Sequence, residues 1–193
     1  MKKKIVVISI LMIMIFNTLV PIVEAVQLIT KANLINDHKI DTHLLYYNDQ
    51  REEWRDIQCG YICYKEDGEK YPAYCIMPNT NGVDEEGSYT VTVDKLVNNK
   101  LIYNILINGY PYKTPAQLGV ESKDDAYVAT KLALKNALLD RDVTGFYKAA
   151  DARGEKTLSA MFSIIEKGKN GNVTNKDARI TINKVGSFKE SGE

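Results

Sequence analysis

Hydrophobic and polar positions alternate with two distinct periods along this chain. Leu44-Leu45-Tyr46-Tyr47 predicts a strand that Asn48-Asp49 ends. Ile57 to Lys65 and Lys70 to Met77 predict a β-hairpin, because Asp67-Gly68 lies between two apolar-rich runs and Asp-Gly favours the tight turn such hairpins need. A two-residue turn there sets Tyr64 opposite Tyr71, Ile62 opposite Ala73 and Gly60 opposite Cys75. In that register Cys59 and Cys63 lie on the face away from Cys75. Pro78 to Gly87 predicts a loop, and Tyr89 to Val93 a further strand.

Beyond residue 96 the period changes to that of a helix. Val97, Leu101, Ile102, Ile105 and Leu106 share one face, and Gly109 is placed to stop the helix. Tyr110-Pro111-Tyr112 predicts a turn and Pro115 to Gly119 a loop. Ser122 with Asp125 forms a capping-box pattern ahead of a stripe of Ala126, Ala129, Leu132, Ala133, Ala137 and Leu138. A stripe so rich in alanine lets a helix approach a sheet closely. A further helix is expected from about Lys156 to Lys167, with Leu158, Met161, Phe162 and Ile165 as its apolar residues and Gly168 as its stop. After a polar stretch, Ala178 to Ile182 alternates as a strand.

The first residues follow another rule. Lys2-Lys3-Lys4 precedes a nearly unbroken apolar run from Ile5 to Val20, and Val23-Glu24-Ala25 supplies small residues for cleavage. This pattern predicts a signal peptide over residues 1–25 and a secreted or cell-surface product. A membrane contact is expected only if that segment stays uncleaved. The remaining chain loses three Lys and one Glu with it, which leaves a small negative balance. Such a balance excludes nucleic acid as an expected partner. With 45% hydrophobic and 26% charged residues in 193, the composition is that of a globular domain with a real core.

Three cysteines leave at least one outside any internal disulfide. Cys59 and Cys63 lie about 13 Å apart on one strand face, too far to bridge. His38 and His43 have no spacing that suggests a metal site, and no cofactor is expected.

Four runs together carry a resemblance. Ile57-Gln58-Cys59-Gly60-Tyr61, Tyr71 to Ile76, Asn108-Gly109-Tyr110-Pro111-Tyr112, and Asp125-Ala126-Tyr127-Val128-Ala129-Thr130 resemble the thioester domains of Gram-positive surface adhesins. The likeness spans about residues 44–183. It implies an α+β fold, with an antiparallel sheet or barrel-like core and a packed helical subdomain. It also implies an adhesin domain over 26–170, followed over 171–193 by a linker and the possible first strand of a missing domain. In that family a cysteine after an aromatic residue bonds to a glutamine in a helix motif Thr-Gln-x-Ala-(Ile/Val)-Trp. The thiolate attacks the carboxamide carbon, ammonia leaves, and the buried thioester later captures an amine on a host matrix or plasma protein. The capture happens once, without turnover, so no enzyme is implied.

Cys75 falls on the family's cysteine position. The helix motif reads Thr130-Lys131-Leu132-Ala133-Leu134-Lys135, so Lys131 stands where the glutamine belongs and Lys135 where the tryptophan belongs. An ammonium group has no acyl carbon, so Cys75 and Lys131 cannot form a thioester. The other glutamines after the signal peptide, Gln27, Gln50, Gln58 and Gln117, lie in no matching helix motif. Three outcomes follow for the site: non-covalent binding through the same cleft, a decayed copy, or a Cys75 thiolate activated by Lys131 for mixed disulfides. The enzyme alternative is a secreted cysteine hydrolase or transpeptidase using Cys75, which needs His38 or His43 as its base. A structural segment with no site is the remaining alternative. In the adhesin reading, Cys75 and Lys131 approach within several ångströms.

Overall fold

A computed structural model describes residues 31–66, 68–76, 88–96, 99–140, 143, 145–172, 183–185 and 189–190. The expected signal peptide, the 78–87 loop and the strand expected at 178–182 lie outside the described residues.

The sheet is antiparallel and centres on β1, Lys31–Asn48. β2 (Glu53–Glu66) pairs along one side of it, and β4 (Ser88–Leu96) pairs along the other through Lys31 to Ile35. β3 (Glu69–Pro72) lies outside β2. β5 (Tyr147–Ala149) pairs with the far end of β1, at Leu44 to Tyr46. The short β6 (Asn183–Val185) and β7 (Lys189–Glu190) both pair with β4. The turn from β1 to β2 is held by Asn48, whose side-chain oxygen accepts from the backbone N–H groups of Gln50 and Arg51 at 3.1 Å.

β1 starts well before the expected strand at Leu44. Its early half is rich in polar residues, yet Leu34, Ile40 and Leu44 are buried, and pairing with β2 and β4 overrides the weak local preference. The β2–β3 hairpin has the expected register: Glu66 pairs with Glu69 and Tyr64 with Tyr71. Gly68 takes φ 86°, the left-handed conformation that a tight hairpin turn demands. The second strand, however, stops at Pro72 instead of running to Met77. Pro72 has no N–H for the ladder. One more rung forms, Ala73 N–H donating to Ile62 O at 2.9 Å, and the chain then leaves the sheet. Cys75 therefore lies beyond the strand, two residues past that last rung.

The helices are α1 (Lys100–Ile107), the single turn α2 (Pro115–Leu118), α3 (Lys123–Leu138) and α4 (Ala152–Asn170). α2 forms where a loop was expected, because Thr114 and Gln117 cap it reciprocally. α3 begins at the expected capping box, with Ser122 and Asp125 each accepting from the other's backbone N–H. Of its alanine-rich stripe, Ala126, Ala129, Leu132, Ala133 and Ala137 are buried, and Leu138 is half-buried. Tyr127, Val128, Thr130, Leu134 and Asn136 are buried as well, so α3 is enclosed on nearly every side. A helix covered in this way belongs at the centre of a molecule.

α4 starts earlier than expected, at a cap formed by Asp151, whose carboxylate accepts from Gly154 N at 2.9 Å. It also runs through Gly168. That glycine is a packing residue, since a Cβ there would collide with Ile105 of α1. Phe162 is exposed, and the inward stripe of α4 is Thr157, Ala160, Met161, Ile164 and Ile165.

Candidate functional site

Tyr127 of α3 is fully buried, and the resembling runs meet around it. Its hydroxyl accepts from Ile62 N at 3.2 Å and donates to Ala73 O at 3.0 Å. One phenol thus ties the central helix both to β2 and to the segment that leads into Cys75. Tyr61 leans on the Tyr127 ring with centroids 4.5 Å apart. Tyr74 stacks on it at 5.0 Å and 21°. The Tyr74 hydroxyl donates to Tyr110 O at 2.8 Å, and Tyr110 N–H donates to Thr130 Oγ1 at 2.9 Å. The Thr130 hydroxyl donates in turn to Ala126 O at 2.8 Å. Gly109 lies so close to Thr130 that a Cβ would come within 2.5 Å of its methyl group, so the turn after α1 docks only as glycine. Burial raises the pKa of Tyr61, Tyr74 and Tyr127, which keeps these phenols neutral donors.

Lys131 is half-buried on the β2 side of α3. Its ammonium donates to Gly60 O at 3.3 Å and to Cys59 Sγ at 3.5 Å, and lies 5.5 Å from the centre of the Tyr127 ring. The Cys59 thiol donates in turn to Gly60 O at 3.7 Å. Burial pushes the Cys59 thiol up from its ordinary pKa, against a smaller opposing pull from Lys131. Burial also pushes Cys63 up. Lys131 thus has Cys59 of β2 as its thiol partner. Cys75 itself is exposed, between Tyr74 and Ile76. No disulfide joins any of the three cysteines.

The histidines bind carboxylates. His38 stacks on Tyr61 at 5.2 Å and 8°, with Nε2 at 3.1 and 3.2 Å from the two carboxylate oxygens of Asp124 and Nδ1 at 3.3 Å from Asp37. Asp37 is held below its ordinary pKa, chiefly by its hydrogen bond from Lys70. His43 Nδ1 lies 2.6 Å from Asp151, at the cap of α4. Each imidazole thus joins β1 to a helix start. Gln58 is exposed and lines a groove of about 540 Å³ with Tyr46, Glu53, Trp54, Arg55 and Asp56; as the neighbour of Cys59 on one strand it faces the other way. Among the described residues no three His, Cys, Asp or Glu side chains converge as a metal site would require.

An antiparallel sheet wrapped on a buried helix, with a strand-end cysteine segment tied to that helix, defines the fold of a thioester domain. The family model for the thioester domain matches residues 72–170, and the chain belongs to that family. The matched span contains both Cys75 and Lys131, whereas Cys59 lies outside it. Two solved structures share the fold. The Bacillus anthracis TIE protein is 22% identical with a TM-score of 0.57, over 76% of this chain and 25% of that one. The thioester domain of the Enterococcus faecium TIE86 protein is 21% identical with a TM-score of 0.56, over 75% of this chain and 52% of that one. The chain thus spans a quarter of the first and about half of the second. No curated protein matches.

Sequence reasoning missed Tyr127 as the hub and Cys59 as the partner of Lys131. Tyr127 lies within the run Asp125 to Thr130 that carries the resemblance, and its place among the alanines of α3 is the signal for it. The pairing of Cys59 with Lys131 depends on how β2 lies across α3, and nothing local encodes it.

Proposed function

We propose that this chain is a surface adhesin module of the thioester-domain type that has lost covalent capture, so that it holds its target non-covalently or not at all. The observation that carries this reading is Lys131. By the resemblance it falls at the acyl-donor position of the helix motif, and its ammonium donates to Cys59 Sγ and Gly60 O. Without a carboxamide there, a thiolate has no carbon to attack and no ammonia to expel. Secretion through the 1–25 segment, a host matrix or plasma protein as target, and the absence of turnover belong to the same proposal.

Intact mass tests it. A Cys–Gln thioester would lower the mass by about 17 Da, the ammonia lost when a thiol attacks a carboxamide. The expected mass shows no such loss, methylamine adds nothing, and any complex recovered from plasma separates in hot detergent. A species lighter by that amount, or a detergent-stable complex, would overturn the reading.

A further inference from the structure

Lys131 presents an unusual pair of neighbours. A lysine ordinarily sends its charge to water or to a carboxylate. Here the ammonium turns inward to a carbonyl and a thiol, over an aromatic ring, and among the described residues none of its contacts is a carboxylate. Cys59 is buried beneath it, and the thiol proton points to the same Gly60 carbonyl that Lys131 uses. The sulfur is therefore held with its lone pairs toward Nζ, 3.5 Å away. Strand β2 fixes one atom and helix α3 the other, while the flexible four-carbon stem of lysine permits the last small approach.

We infer that Cys59 and Lys131 form a covalent N–O–S bridge, a redox-reversible cross-link between β2 and α3. The oxidant is molecular oxygen. The thiol and the ammonium combine with O2 to give Nζ–O–Sγ, water and one proton. The S–H bond and two N–H bonds break, and N–O and O–S bonds form. Sulfur and nitrogen each give up two electrons, which together reduce both oxygen atoms. One oxygen becomes the bridge and the other leaves as water. The separation favours this product over a direct S–N bond, because an inserted oxygen spans a gap that a single bond would have to close. The bridge would pin α3 to the sheet beside Tyr127, whatever Cys75 does.

The test uses the full chain, equilibrated in air-saturated buffer and weighed intact with and without dithiothreitol. The bridged protein is heavier by about 14 Da, one O2 gained and one water lost, and dithiothreitol returns it to the unmodified mass, as expected of a reversible cysteine oxidation. Peptide mapping joins the peptides of Cys59 and Lys131. Lys131→Arg and Cys59→Ala both lose the shift, and Cys75→Ala keeps it. Because Cys59 is a core residue, Lys131→Arg is the decisive variant if Cys59→Ala does not fold. An aerated sample at the unmodified mass overturns the inference. So does a product lighter by about 2 Da, the direct S–N bond, or heavier by about 16 Da at Cys59 alone, a sulfenic acid.

Discussion

Tyr127 shows how much one side chain organises. Its ring contacts Tyr61 and Tyr74, and its hydroxyl joins Ile62 N to Ala73 O. An aromatic pair adds about 0.5–1.5 kcal/mol beyond the area it buries. A buried donor or acceptor left unpaired costs about 1–3 kcal/mol. Tyr127→Phe keeps the ring contacts and removes only the hydroxyl, so it isolates the second quantity. Urea unfolding of Tyr127→Phe is expected to show a loss of about 1–3 kcal/mol with an unchanged denaturant slope. A variant as stable as the parent would mean that the hydroxyl bonds do not hold the segment before Cys75. The identity of residue 131 is legible in the sequence, and so is its chemical consequence, since no fold turns an amine into an acyl donor. The partner of that amine is not legible, because it comes from a strand whose nearest residue is far away in the chain.

At the scale of elements, caps and turns follow from short sequence signals. Ser122 and Asp125 start α3 as expected, and the Asp67-Gly68 dipeptide sets the hairpin register. These signals act over a few residues, so a linear reading captures them. Gly168 shows the limit of that reading. A glycine near the end of an apolar stripe resembles a stop, but here the close approach of α4 to Ile105 of α1 requires it. In an exposed helix, glycine to alanine would gain about 1 kcal/mol from propensity. Overpacking a filled core costs about 1–3 kcal/mol. At Gly168 the added methyl meets Ile105 directly, so packing outweighs propensity. Gly168→Ala is expected to lower stability on urea unfolding, and to cost less in an Ile105→Ala background, where the γ-carbon that the new methyl meets is gone. A gain in stability would mean that α1 and α4 are less closely packed.

For the whole molecule, the matched family span of residues 72–170 is not a self-sufficient unit. β1 and β2 lie before it and supply Ile40, Leu44 and Cys59 to the core. They also supply the Ile62 N–H that Tyr127 accepts and the His43 carbonyl that takes the N–H of Ala150. A fragment of 72–170 would expose the sheet-facing side of α3. Its near-ultraviolet circular dichroism is expected to be lost and its binding of a hydrophobic dye raised, while helical signal persists. A fragment with native aromatic dichroism would show that the helical part folds without the sheet. A chain-wide sheet with β1 between β2 and β4 also escapes a linear reading, since those pairings join residues far apart in sequence.

By itself the sequence determined the secondary-structure period of most segments, the start of α3, the hairpin register, the family, and the chemical impossibility of a thioester between Cys75 and Lys131. Each depends on residue identity or on neighbours within a turn or two. The tertiary structure alone decided that the Lys31–Asn48 run is the central strand, that Tyr127 is the hub, and that Lys131 meets Cys59. Those outcomes depend on which distant surfaces exclude water together, and a pattern of neighbouring residues carries no record of that.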